Sequence, residues 1–283
     1  MDIYINTDNL ARIVKQYKAS FELHFPNEIY KWKAVKHFQT YWEINAVNFQ
    51  GMLKQAFSKT RNLLAGGNYY PLKMLEEFCK VDEEKVREMF GILFDEDKNL
   101  VLRIERFQRM ADEMLTEWGF VKSHFQSLNA ITTYLWLRYP DKYYIYKYFC
   151  AKKMAEGLEA SFIPTKGMET REIVDMFKLY DEVAFFLQSD FEMKSILDNH
   201  LTQDCYPDRK MRTLTADLAY FEFVSSKKSF YQFDPRQKVM IEKSVMQKKS
   251  CNYWWLCANP KIWSMTGWMV GEEQDYTLYV SIR

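Results

Sequence analysis

Glycine and proline are scarce, at 9 and 7 of 283 residues, which excludes a collagen-like repeat and a Gly/Pro-rich disordered tract. Long apolar runs are missing as well. No stretch approaches the ~18 consecutive apolar residues that a membrane-spanning helix needs. The opening MDIYINTDNLAR carries two early aspartates and no apolar core, so no signal peptide is expected. Neither sign of charge is in excess: 39 basic residues meet 38 acidic ones, which leaves +1. The chain as a whole is therefore not polybasic, although a local patch can still supply phosphate contacts. Cysteines number five, an odd count at wide spacing, which argues against a disulfide framework and for a reducing, cytoplasmic compartment. Cys251 and Cys257 lie six apart, but no second Cys or His pair completes a zinc site.

Catalytic signatures are also lacking. No Gly-x-x-x-x-Gly-Lys-Ser/Thr occurs; Gly66 and Gly67 lead into Asn68 and Tyr69, with no lysine placed for a phosphate. Gly-x-Gly-x-x-Gly and the Gly-x-Ser-x-Gly elbow are missing too. Three Glu-x-Lys triplets, Glu83–Lys85, Glu96–Lys98 and Glu192–Lys194, resemble fragments of a nuclease metal site, but such a site needs a further aspartate from a nearby strand. Charged residues on exposed helical faces account for them. The four histidines (His24, His37, His124 and His200) stand apart, and the nearness of His200 to Asp204 and Cys205 is weak evidence for a catalytic pair. The expectation is a protein that is not itself an enzyme, with no cofactor and no metal.

What the chain does have is helical periodicity over its first 224 residues. Asp8 is placed to cap a helix carrying Leu10, Ile13, Val14 and Tyr17. Val35, Phe38, Trp42, Ala46, Phe49 and Leu53 step by three and four along one face. Gly66 to Pro71 reads as a loop. Asp82 then precedes Val86, Met89, Phe90 and Leu93, and Leu100, Ile104, Phe107, Ala111 and Met114 make the next stripe. Ser123 with Gln126 has the capping-box spacing for a helix through Leu128, Ile131 and Leu135 that stops before Pro140. Thr170 opens another with Ile173, Phe177, Tyr180, Ala184 and Leu187, and Met211, Leu214, Leu218 and Phe221 give the last. About eight to ten helices are expected, with no fixed repeat.

Aromatic residues reach 17%. In LRYPDKYYIYKY, Tyr139, Tyr143, Tyr144, Tyr146 and Tyr148 surround Lys142 and Lys147. Such interleaving binds single strands by stacking and phosphate contacts; the favoured reading is a turn whose tyrosines pack between helices. From Ser225 to Lys249, seven basic residues face two acidic ones, which reads as a basic linker with one short helix around Gln237–Met246. The predicted organisation is a helical domain over 1–224, a basic linker over 225–250, and a short β segment over 251–283.

That last segment carries the most specific pattern. Four of eight tryptophans fall between Trp254 and Trp268, in YWWLCANPKIWSMTGWMVGEEQDYTLY. Tyr253–Leu256 and Tyr276–Tyr279 read as two strands around a loop. The run Tyr253-Trp254-Trp255-Leu256, then Ala258-Asn259-Pro260-Lys261-Ile262-Trp263-Ser264, resembles the first strand and loop of EVE domains of the PUA-like superfamily. The spacing to Val270-Gly271-Glu272 and Tyr276 is similar to the version fused to McrB-like type IV restriction proteins. Upstream, Trp32–Gln39 and Arg138–Lys147 are similar to the helical part of those proteins. The resemblance implies a mainly α fold followed by the first strands of a PUA-like barrel, and recognition of modified cytosine in foreign double-stranded DNA. It implies motor or nuclease subunits of a restriction system as partners.

On that resemblance, an extruded base would stack on Trp263, with Ser264 and Asn259 reading its edge. Trp255, Tyr279 and Lys261 complete the expected nucleic-acid-binding set; Trp254 and Trp255 point to opposite faces of a strand, so at most one faces the pocket. The GTP-dependent AAA+ motor of the family has no counterpart here, and the barrel is unfinished at Arg283, so a truncated form is expected. The alternative is a helical interaction module that docks a partner subunit without touching nucleic acid.

Overall fold

Periodic apolar stripes become helices throughout the described chain. The structure, a computed structural model, describes residues 2–65, 69–118 and 123–228. Among the described residues are twelve α-helices, one 3-10 helix and no β-strand. The helices are α1 (Thr7–Glu28), α2 (Tyr30–Tyr41), α3 (Phe49–Phe57), α4 (Arg61–Leu64), α5 (Pro71–Val81) and α6 (Glu83–Leu93). Then follow α7 (Leu100–Trp118), α8 (Leu128–Arg138), α9 (Tyr148–Gly157), α10 (Ile173–Ser189), α11 (Phe191–His200) and α12 (Arg212–Lys228). The expected β segment and the linker beyond Lys228 lie outside the described residues.

Local chemistry sets most of the boundaries. Asn6, rather than Asp8, caps α1: its side-chain oxygen accepts from the N–H groups of Asp8 and Asn9 at 3.1 Å each, and Asp8 sits in the first turn. Asp82, just ahead of the expected helical stripe, caps α6 by accepting from Lys85 N–H at 2.9 Å. The helix expected from Thr170 begins as a 3-10 turn with a capping box between Glu169 and Glu172, and continues as α10. Ser123 and Gln126 form no such box. The Gln126 amide is buried and donates to the Pro71 carbonyl at 2.9 Å, while α8 starts two residues later with Ser127 as its N-cap.

The stripe from Val35 to Leu53 is two helices, not one. Trp42 ends α2 in an extended conformation, and the chain turns before α3. Arg87 holds that turn: its guanidinium donates to the carbonyls of Ile44 and Ala46 and covers the Phe49 ring at 4.7 Å. The turn lets the Trp42 ring pack among Phe38, Phe49, Phe57, Phe90 and Phe94, with centroids 4.9–6.1 Å apart. Edge-to-face geometry dominates, as ring quadrupoles favour. Both halves of the stripe are therefore buried although the helix is broken.

The other side of the core is organised by α12, which packs on α1, α9 and α10. Asp208 starts it. Its carboxylate is buried and accepts from Thr213 N–H at 3.1 Å, Leu214 N–H at 2.8 Å and the Trp32 indole at 3.2 Å. Burial pushes the Asp208 carboxyl up to about 7, against the pull of those donors toward the charged form. All described residues fall within one compact unit, residues 1–232. No helix among them is long and apolar enough to cross a membrane.

Candidate functional site

A charge cluster lies where α1, α2 and α12 meet. Asp217 and Lys31 are buried, and so is Glu28. The two oxygens of Asp217 divide their partners. One accepts from the Tyr17 hydroxyl at 2.6 Å and lies 3.0 Å from His24 Nε2; the other takes the Lys31 ammonium. Lys31 also donates to Glu28 at 2.7 Å. Pro26 lies inside the last turns of α1, and α1 gives way to α2 at Ile29, with Glu28 and Lys31 an i,i+3 pair across the join. Burial would raise the Asp217 carboxyl, but Lys31 and then His24 hold it down at about 2. Burial would lower the Lys31 ammonium, and Asp217, Tyr30 and Glu28 together raise it above its ordinary value.

Beside this cluster opens a cleft of about 1000 Å³. One wall is the first turn of α8, with Ser127 and Asn129; another is the segment Tyr146–Lys147 and the first turn of α9. Tyr220 and Phe223 of α12, Asn62 of α4, Tyr69 and Gln108 complete the sides. The turn Thr165–Met168 adds Lys166, with Gly167 in the left-handed region at φ 74° that an L side chain disfavours. Hydrogen bonds fix the walls. Asn129 donates to the Tyr146 carbonyl at 2.7 Å, Thr132 accepts from Tyr146 N–H at 3.0 Å, and the Tyr69 hydroxyl lies 3.0 Å from Ser127 Oγ.

The cleft has no internal anion: among its described lining residues none is aspartate or glutamate, while Lys147 and Lys166 both face it. Neither lysine makes an ion pair with a described residue. Lys147 is half-buried; burial lowers its ammonium below the ordinary value, and the like charge of Lys31 lowers it further. At the floor, a cavity of about 20 Å³ is lined by both Lys147 and Lys31, with Cys150 and Tyr220. The start of α9 faces the cleft with no side-chain cap, and the N–H groups of Tyr148 and Phe149 have no acceptor among the described residues.

The expected base-reading residues, Trp263, Ser264, Asn259, Trp255, Tyr279 and Lys261, lie outside the described residues. In the tyrosine-rich segment, several tyrosines pack between helices. Tyr139 donates to the Phe94 carbonyl at 2.7 Å, Tyr143 to Glu96 at 2.8 Å and Tyr144 to Asp181 at 2.9 Å, so these three pack between helices. Tyr146, Lys147 and Tyr148 face the cleft instead. Each Glu-x-Lys glutamate has structural work: Glu83 accepts from the N–H groups of Phe49 and Gln50, Glu96 binds Arg103 at 2.6 Å, and Glu192 binds Lys18 at 2.7 Å. His200 meets Glu22 at 2.9 Å and the Ile196 carbonyl at 2.7 Å, whereas Cys205 meets Thr202. No group of three or more metal-ligating side chains occurs among the described residues.

Sequence reasoning missed Lys31, Asp217 and Glu28. The signal was present in the helical register. Lys31 stands four and seven residues before Val35 and Phe38, on the apolar face of α2, and Asp217 lies between Leu214 and Phe221 on that of α12. A charge on an apolar stripe marks a buried partner. No protein-family model, no curated protein and no solved structure matches this chain.

Proposed function

We propose that the chain is the non-catalytic DNA-recognition and regulatory portion of a McrB-like restriction system that senses modified cytosine. The observation that carries this reading is the stretch Tyr253–Ser264 with its Asn-Pro-Lys-Ile-Trp-Ser loop. In this reading Trp263 stacks on an extruded base, Ser264 and Asn259 contact its polar edge, and Lys261 takes a flanking phosphate. Stacking and edge hydrogen bonds offset the few kcal/mol of unstacking. The helical body meets the motor or nuclease subunits that cut. Two phenylalanines at the α10–α11 corner, Phe185 at 75% and Phe191 at 83% exposure, supply apolar surface for such a subunit.

The test is a gel shift at low salt with methylated, hydroxymethylated and unmodified duplexes. A modified duplex is expected to bind more tightly, and Trp263→Ala to remove that preference while leaving the salt-dependent background. Equal binding to all three duplexes overturns base recognition. A stable oligomer that binds no duplex favours the partner-docking alternative.

A further inference from the structure

The cleft beside the buried charge cluster has a specific chemistry of its own. Its charged lining is cationic, with Lys147 and Lys166 free of carboxylate partners among the described residues. A half-buried ammonium without an anion is costly in the empty protein, and an anionic ligand removes that cost. The uncapped start of α9 adds the N–H groups of Tyr148 and Phe149 beside Lys147. Backbone donors at a helix start complement a phosphate, but here they only add to a cleft already built around the lysines.

The remaining walls are aromatic. Tyr69, Tyr220 and the pair Tyr146 and Tyr148 come from three different segments and line the same space. Such walls suit a flat ring, because every nucleobase has a face that stacks. Asn62, whose side-chain amide makes no hydrogen bond with a described residue, adds a donor and an acceptor for a base edge. At about 1000 Å³ the space lies at the upper end of small-ligand pockets, enough for a base, a sugar and a phosphate together. A bare inorganic anion would leave the aromatic walls unused, and an uncharged aromatic would leave Lys147 unpaired.

We propose that this cleft binds a nucleoside phosphate, with the phosphate on Lys147, Lys166 and the N–H groups at the start of α9, and the base against the tyrosines. The ligand is either a free mononucleotide or one nucleotide of a single strand. This site is independent of the modified-base reading and stands if that reading fails.

The test is calorimetric titration of the full chain with 5′-AMP and 5′-UMP, against adenosine, uridine and inorganic phosphate. The nucleotides are expected to bind at least about tenfold more tightly than either half alone. Lys147→Met should weaken nucleotide binding about tenfold or more, and Lys147→Arg should keep it within about threefold. Lys166→Ala, at an exposed position of a turn, should weaken it by a smaller factor. A five-residue oligothymidylate separates the sources. Binding more than about tenfold tighter than 5′-UMP, and lost in Lys147→Met, assigns the site to a strand; weaker binding assigns it to free nucleotide. No binding of either nucleotide at millimolar concentration, or binding that Lys147→Met and Lys166→Ala both leave unchanged, overturns the proposal. Duplex discrimination in the gel shift should be the same in Lys147→Met and the parent, which keeps failure of the two readings distinguishable.

Discussion

Lys31 and Lys147 line the same small cavity, yet their surroundings are opposite. Lys31 is enclosed with two carboxylates, and those anions outweigh the burial that would strip its proton. Lys147 has no ion-pair partner among the described residues, and burial and then the charge of Lys31 act against its proton, outweighing the opposite pull of Cys150 and Glu28. One cation is satisfied within the chain and holds three helices together. The other is left with an unmet electrostatic demand at the floor of an open cleft. A buried charge thus separates structure from site by what it touches, rather than by how deeply it lies.

Breaking the satisfied side should give the largest effect. Lys31→Met leaves Asp217 buried with only Tyr17 and His24, and the loss of one partner from a buried ion pair costs about 3–5 kcal/mol. Urea unfolding followed by circular dichroism should show the midpoint falling at nearly constant slope. Lys31→Met combined with Asp217→Leu removes both charges and should recover much of that loss. A double variant as unstable as the sum of its parts would mean that the pair is not the unit that matters.

The pH dependence of stability sharpens the contrast between two buried carboxylates, Asp217 in α12 and Asp208 just before it. The folded protein holds the Asp217 carboxyl at about 2, below its ordinary 3.8, because Lys31 and His24 outweigh burial. Its contribution is therefore present above about pH 4 and is lost as pH falls through 2. Asp208 has donors but no cation, and burial raises it to about 7. Its contribution is present below about pH 4 and is lost as pH rises through 7. Asp217→Asn should flatten the acid limb of a stability–pH curve, and Asp208→Asn the limb between pH 4 and 7. Identical curve shapes for both variants would contradict this assignment.

Most of the helical body is legible in the sequence, because burial on one face writes a 3.6-residue period. The stripe of α7 and the stripe from Val86 to Leu93 in α6 are found where the spacing puts them. The errors have particular causes. The break at Trp42 is hidden because its turn is held by Arg87, some 40 residues away in sequence, and apolar residues continue on both sides. Asn6 and Asp8 are equally good caps by residue type, and only backbone geometry separates them. Gln126 looks like a capping residue, but its amide serves the Pro71 carbonyl 55 positions away. The cleft was half legible: the tyrosine–lysine segment stood out, but which of its tyrosines reach the cleft, Tyr146 from the core and the part-exposed Tyr148, depends on the helices that flank it.

The smallest expected effect on stability falls on the unsatisfied lysine. Lys147→Met keeps most of the length of the unbranched side chain and removes a charge that no described group pairs. Because the folded protein depresses this ammonium below its ordinary value, the charged form costs stability at every pH below the folded pKa, including neutrality. The variant should therefore unfold at the same temperature as the parent or slightly higher, by up to about 1 kcal/mol, when both are measured by differential scanning calorimetry at pH 7. Raising the pH toward the range where lysine loses its proton should bring the two proteins together, because the parent sheds the same charge there. Addition of 5′-AMP should reverse their order, since ligand stabilises the protein in proportion to its binding and only the parent retains the cation that holds the phosphate. A large loss of stability in Lys147→Met without ligand would instead place Lys147 with Lys31, as a cation the fold requires.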